Sequence, residues 1–320
     1  MRLRELVESC AAQLIEAKVS FGHGTDNAMD EAAWLVLWCL GLPLDTPLDG
    51  GNEVPDETYD SPEPADPNSI ALGRTVTPKE QAKVSNLINQ RIALRKPAAY
   101  LTNEAWLQGV SFYVDERSIV PRSLIAETLV QGDLDYWLNE SAQKILDLCT
   151  GNGSLSVIAA MVYPESHVIG SDISAAALEV ASINVLRHDL SDRIKLIVSD
   201  GLGATELLAE GPFELILCNP PYVNSQSMAQ LPAEYRAEPE LALAGGADGM
   251  DFVRTLLRDV VTHLAPGGIL VLEIGHERQY FEAAFPALSP VWLETSAGED
   301  QVLLLSREAL LSFGLSASLQ

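Results

Sequence analysis

Four consecutive residues, Asn219-Pro220-Pro221-Tyr222, carry the sharpest chemical signal in the chain. They follow an apolar run, Leu215-Ile216-Leu217-Cys218, that reads as a buried strand. Neither proline can donate a ladder hydrogen bond, so the strand must stop there. Proline also keeps the residue before it out of the helical region, which holds Asn219 and Pro220 extended. The corner presents an amide side chain, free backbone carbonyls and an aromatic face. A planar amide or amino nitrogen is a poor nucleophile, because its lone pair is delocalised. Its N–H groups can donate to the Asn219 side-chain oxygen and the Pro220 carbonyl, while Tyr222 packs on its flat face. That aims the nitrogen at an electrophile, and positioning supplies most of the catalysis. A strand followed by a proline-rich turn is the plainer reading. The whole tetrapeptide, with a glycine loop upstream, favours chemistry.

The elements that must hold this corner begin at Lys144, where strand and helix patterns alternate. Strands are expected at Ile145–Cys149, His167–Ser171, Ile194–Val198, Phe213–Cys218, Ile269–Ile274, Val291–Thr295 and Gln301–Ser306. Helices such as Ala175–His188 and Phe252–His263 lie between them. This predicts an α/β fold with a mostly parallel sheet covered on both faces. Ligands then bind beyond the carboxyl ends of the strands, where the other motifs fall. Asp147-Leu148-Cys149-Thr150-Gly151-Asn152-Gly153-Ser154 runs from strand through two glycines into a helix, allowing close approach of a ligand. Asp172 ends the next strand, and its carboxylate can accept both ribose hydroxyls of a nucleoside. Asp200-Gly201 ends the third, near where an adenine would lie. The dinucleotide fingerprint fits poorly, since Ser156 stands where its third glycine belongs. S-adenosylmethionine, with a ribose and an adenine but no pyrophosphate, fits better, its methyl facing Asn219.

Residues 1–96 read as a small helical domain. Its helices run from about Leu3, from a cap at Asp26 or Asn27, and from Pro78 to Arg95. An acidic, proline-rich insert over 50–67 reads as solvated. Residues 97–121 read as a β-hairpin linker that either frames a cleft or merely connects, and 122–320 as the catalytic domain. The chain of 320 residues holds 20 basic and 45 acidic side chains, a net charge of −25. That disfavours nucleic acid and anionic membrane and favours a basic partner. The cysteines Cys10, Cys39, Cys149 and Cys218 show no paired or metal-ligand spacing and read as reduced thiols. No apolar run is long enough to span a membrane and no signal peptide is evident, so a cytoplasmic protein is expected.

Thr150-Gly151-Asn152-Gly153, Asp172 and Asn219-Pro220-Pro221-Tyr222 resemble the class I S-adenosylmethionine-dependent methyltransferases, with their Rossmann-like, seven-stranded sheet. Within these, Ile119-Val120-Pro121-Arg122 and the stretch from Glu238-Pro239 to Asp248-Gly249 resemble the protein N(5)-glutamine methyltransferases. The finer likeness is to the branch acting on large-subunit ribosomal protein three. It rests on the segments Phe21–Asn27, Tyr100–Trp106, Phe112–Arg117 and Leu231–Arg236. The resemblance implies methyl transfer to a glutamine side-chain amide in a basic ribosomal protein. It implies that Asn219 and the Pro220 carbonyl hold that amide with Tyr222 packed on it, Pro221 completing the catalytic corner, and that Thr150, Gly151, Gly153 and Asp172 bind the cofactor; Asp147, Asp200, Gly201 and Asn219 are placed beside it by their positions at the strand ends. The five histidines show no ligand spacing, so no metal is expected. Release-factor enzymes can place an aromatic residue after the third-strand acid. This chain has Gly201 there, which leaves Leu202 as the candidate to pack on adenine. The same chemistry on a release factor, N-methylation of a nucleic-acid base, and a silent cofactor-binding module are the competing readings. A base methylase should carry a basic groove.

Overall fold

The computed structural model describes residues 1–48, 74–138 and 143–317, and the acidic insert expected over 50–67 lies outside them. The chain divides into two units, Met1–Thr102 and Asn103–Gln320.

The first unit holds α1 (Leu3–Glu16), α2 (Ala28–Leu40), α3 (Pro78–Leu94) and α4 (Ala98–Thr102). Asn27, not Asp26, caps α2, accepting from the Met29 and Asp30 N–H groups. Thr77 and Glu80 cap α3 reciprocally, with Pro78 in its first turn. The helices bury Leu6, Val7 and Leu14 of α1, Leu35 and Val36 of α2, and Val84 and Ile88 of α3. Inside this unit lies an ion pair: the Arg91 Nε donates to the Glu31 Oε1 at 2.8 Å. Both side chains are almost wholly buried. A second Arg91 nitrogen donates to the Ser20 carbonyl. Desolvation pushes the Glu31 pKa up, against the pull of Arg91.

The second unit opens with a hairpin of β1 (Ala105–Leu107) and β2 (Val110–Phe112). Its turn residues, Gln108 and Gly109, both take positive φ, as a two-residue hairpin turn requires. Then come α5 (Ile125–Gln131), β3 (Lys144–Leu148), α6 (Ser154–Val162), β4 (His167–Asp172) and α7 (Ala175–Arg187). They are followed by β5 (Ile194–Val198), α8 (Thr205–Glu210), β6 (Phe213–Cys218), α9 (Ser225–Gln230) and α10 (Asp251–Asp259). The chain closes through β7 (Leu264–Glu273), α11 (Arg278–Ala284), β8 (Val291–Thr295), β9 (Gly298–Ser306) and α12 (Arg307–Ala317).

The seven strands β3 to β9 form one sheet in the order β5-β4-β3-β6-β7-β9-β8. Strands β3 to β7 are parallel, and β9 runs antiparallel to both β7 and β8. Strand β7 begins at Leu264, earlier than the expected Ile269. The Ala265-Pro266-Gly267-Gly268 stretch reads as a turn, and a shift in the β6–β7 register absorbs it within the strand. Alternate residues feed two cores. Ile145, Leu215, Leu217 and Val271 pack with Ile125, Val157 and Val185 on one face. Leu146, Leu148, Ile216 and Leu272 pack with Leu207, Leu256 and Phe281 on the other. Because β3 to β6 are parallel, residues 148–151, Asp172, 199–201 and Asn219 gather at one edge of the sheet.

Replacing Glu31 by Leu should cost about 3–5 kcal/mol, because it strips Arg91 of its carboxylate in a dry interior. Adding Arg91→Met should recover most of that loss. Urea unfolding of the two variants is the check, and equal losses would contradict it.

Candidate active site

The glycine loop is held from below by Asp147, which is fully buried at the end of β3. Its Oδ2 accepts from the Thr150 hydroxyl and, at 2.7 Å, from the Ser156 hydroxyl. Its Oδ1 is buried with no donor among the described residues. Ser156, the residue in place of a third fingerprint glycine, thus has a definite partner. Close packing is achieved from the opposite side, where a Cβ on Gly170 would come within 2.8 Å of the Ser156 Oγ. Gly153, at φ +79, sits where a Cβ would press on Ala181 of α7 at 3.0 Å. Cys149 takes a positive φ of 61, a conformation that costs a non-glycine residue about 1–2 kcal/mol.

Above this loop a cavity of about 180 Å³ opens. Asp172 forms one wall, its Oδ2 accepting from the Gly151 N–H at 2.9 Å and its Oδ1 from the Ser174 N–H at 2.8 Å. Burial pushes its pKa up, and these N–H donors pull it down. Asp200, Gly201, Asn219 and Pro221 also line the cavity, whereas Asp147, Thr150 and Gly153 do not. The apolar walls are Ile119, Ile173, Leu241 and Phe252. Leu202, the expected packing partner for adenine, is not among them and packs toward the sheet core. The aromatic residue comes instead from α10, and a Cβ on Gly201 would lie 3.7 Å from the Phe252 ring. No local pattern near Asp200 signals a residue fifty positions away.

A second cavity, about 330 Å³, lies across the Asn219 corner. Asn219, Pro220 and Tyr222 line it, with Leu231, Tyr235 and Leu243 of the long loop opposite. Asn219 therefore stands in the wall between the two cavities. Neither its carboxamide nor the Pro220 carbonyl has a hydrogen-bond partner among the described residues. Pairing resumes at once: the Val223 N–H donates to the Leu243 carbonyl at 2.8 Å and its own carbonyl accepts from Gly245 at 2.9 Å. The Tyr222 ring lies on Gly275, where a Cβ would come within 2.5 Å of it. Desolvation and the Glu273 carboxylate push the Tyr222 pKa up.

The long loop is clasped to the segment before α5. Both Arg122 terminal nitrogens reach the buried Glu238 carboxylate at 2.7 Å, and the Val120 N–H donates to Glu238 at 2.9 Å. The Arg122 guanidinium lies 5.6 Å from the Tyr235 ring centroid. The hairpin lines neither cavity. The segment after it, Arg117 to Ile119, does, and Asn152 of the glycine loop donates to the Ile119 carbonyl. Buried Asn184 of α7 donates to both the Asn152 and Tyr113 carbonyls.

Burial pushes the Asp147 carboxyl up to about 6, against the Ser156 and Thr150 hydroxyls. A raised pKa means that the fold prefers the neutral form. The stability this contributes is whole below the ordinary value of about 4 and is lost as pH climbs through about 6. Two units amount to at most about 3 kcal/mol. Urea unfolding should show that fall between about pH 4 and 6, and Asp147→Asn should remove it. An unchanged slope in the variant would contradict the assignment.

The chain matches the family model described as "Methyltransferase small domain" over residues 129–234. It is 48% identical to the ribosomal protein uL3 glutamine methyltransferase of Bordetella pertussis, over 96% of each chain. It is 45% identical to the protein of the same name from Burkholderia pseudomallei, over 96% of this chain and 95% of that one. Among solved structures it is similar to a methyltransferase from Pyrococcus furiosus, at 18% identity and a TM-score of 0.42, over 72% of this chain and 98% of that one. That last likeness is too loose to carry an argument. Near-half identity over almost the whole length is not, and the chain belongs to the family of the ribosomal protein uL3 glutamine methyltransferases.

Proposed function

We propose that the protein transfers the methyl group of S-adenosylmethionine to the side-chain amide nitrogen of a glutamine in large-subunit ribosomal protein uL3. The observation that carries this reading is the pair of groups without partners among the described residues, the Asn219 carboxamide on the wall between two cavities and the Pro220 carbonyl in the second. When bound, S-adenosylmethionine supplies an electrophilic methyl on a sulfonium. The first cavity fits it by its donor set. Asp172 offers carboxylate oxygens to a ribose, Asp200 stands close by, and Phe252 offers a flat face and Ile173 an aliphatic one to an adenine. The orphaned Asp147 oxygen beside the glycine loop suits an ammonium group. From the second cavity, Asn219 and the Pro220 carbonyl accept the two N–H bonds of the glutamine amide, and Tyr222 packs on its plane. The nitrogen would then be presented to the methyl carbon: as the C–N bond forms the carbon–sulfur bond would break, its electron pair staying on sulfur as a neutral thioether, and the nitrogen would give one proton to water.

Competing nucleic-acid chemistry meets the wrong charge. The net charge is −25, and Arg122, the arginine lining the second cavity, is already engaged by Glu238. A phosphate backbone would face carboxylates, whereas a basic ribosomal protein would be attracted. We assign the transfer to the second unit and a substrate-docking role to the helical one. We place the enzyme in the cytoplasm, where ribosomal proteins are made. Among the described residues no helix is long and apolar enough to cross a membrane.

Labelled S-adenosylmethionine should be offered with unassembled uL3, with a release factor and with ribosomal RNA. Label is expected on a uL3 glutamine, with Asn219→Ala lowering the rate more than about 100-fold. Label on the release factor alone would keep the reaction and replace the substrate, and label on RNA alone would overturn both. Phe252→Ala should raise the KM for S-adenosylmethionine about tenfold with little change in kcat, the loss of one stacking face. An unchanged KM would remove Phe252 from the adenine site.

A further inference from the structure

Glu273 ends β7, beside the end of β6, and its side chain is 3% exposed. Its Oε2 accepts from the Ser123 hydroxyl at 2.6 Å and the Leu124 N–H at 2.9 Å. Its Oε1 faces the Tyr222 hydroxyl at 3.4 Å. The neighbours along the strand, Leu272 and Ile274, are apolar and buried. A carboxylate at this depth costs stability that an apolar side chain would not. Burial accordingly pushes its pKa up, while Ser123, the Ile125 and Leu124 N–H groups and Arg122 pull it down. Of these contacts, the one to Tyr222 reaches the corner.

The ring of Tyr222 needs such a hold. Gly275 gives it a floor, since a Cβ there would strike the ring. A floor fixes the plane of a ring but not its rotation within the plane. The hydroxyl is the handle that fixes the rotation, and Glu273 is the acceptor in reach. At 3.4 Å the bond is long, as such bonds often are before substrate closes the site.

We propose that Glu273 is a positioning residue for methyl transfer: it anchors the Tyr222 hydroxyl with one carboxylate oxygen while the other ties it to Ser123 and Leu124, next to Arg122. The proposal rests on Tyr222 as the face that packs on the substrate amide. A glutamine at 273 can still accept from Ser123 and Leu124, so the anchoring of α5 survives. It confronts the Tyr222 hydroxyl with a neutral amide in place of a charge-assisted acceptor.

The test is a cycle of Glu273→Gln, Tyr222→Phe and the double variant, with KM and kcat measured separately on uL3. Each single variant should lower kcat about tenfold. The KM for S-adenosylmethionine should stay within about twofold, because Tyr222 and Glu273 lie outside the cofactor cavity. The double variant should be no worse than the weaker single one. The Glu273→Gln melting temperature should not fall, since a buried charge has been removed. Wild-type kcat in Glu273→Gln, or losses that multiply in the double variant, would overturn the proposal. If Glu273→Gln fails to fold, Tyr222→Phe decides alone, and unchanged kcat there overturns it. If Tyr222→Ala also keeps full activity, the error lies in the role given to Tyr222.

Discussion

Two hydrogen-bond acceptors left open at the end of a buried strand are the constraint around which the second unit is arranged. Interior backbone groups are nearly always paired, and an open carbonyl invites water or a collapsed loop. The Pro220-Pro221 pair blocks continuation of the ladder. Val223 then returns the chain to pairing with Leu243 and Gly245, so the open stretch is only one corner wide. The loop that pairs there comes very close: a Cβ on Gly245 would sit 2.7 Å from the Tyr222 Cα, and one on Gly249 would sit 2.2 Å from the Tyr222 carbonyl oxygen. Those glycines matter for the space they leave. The Arg122–Glu238 pair holds the same loop from its outer side. Local rigidity and long-range clasps thus act on one point.

Much of this was legible in the chain. The strands at Ile194–Val198 and Phe213–Cys218 fall where the apolar runs place them, because β-branched and apolar runs bounded by turn residues leave little choice. The edge where Asp172, Asp200 and Asn219 meet follows from parallel topology, which the strand–helix alternation implies. What was not legible depends on packing between distant residues. Glu238 is one of several acids in its stretch, and nothing in the order of residues assigns it to Arg122, 116 positions away. Phe252 sits in an ordinary amphipathic helix pattern, and only the placement of α10 over Gly201 brings it to the cavity. The full length of β7 was hidden by glycines that read as a turn.

The same loop also shows how the fold separates its ligand from a dinucleotide. In a dinucleotide site, a glycine lets helix and strand close up beneath a pyrophosphate held by backbone N–H groups. In this loop the space beneath is filled by hydroxyls instead. Thr150 and Ser156 both turn inward to satisfy Asp147, which sits between Leu146 and Leu148 on a strand otherwise devoted to the core. The Gly151 N–H, one of the groups that could receive a phosphate, is already committed to Asp172. The cavity above is therefore bounded by carboxylates, Asp172 and Asp200, with a buried acid below. Such a field repels a pyrophosphate and attracts a cation. A sulfonium with an ammonium group nearby matches that sign at two places. The exchange of a third glycine for Ser156 is thus part of the same arrangement that leaves an Asp147 oxygen without a donor. The floor of the cavity is thus set by Asp147, Thr150 and Ser156 as much as its walls are by Asp172 and Asp200.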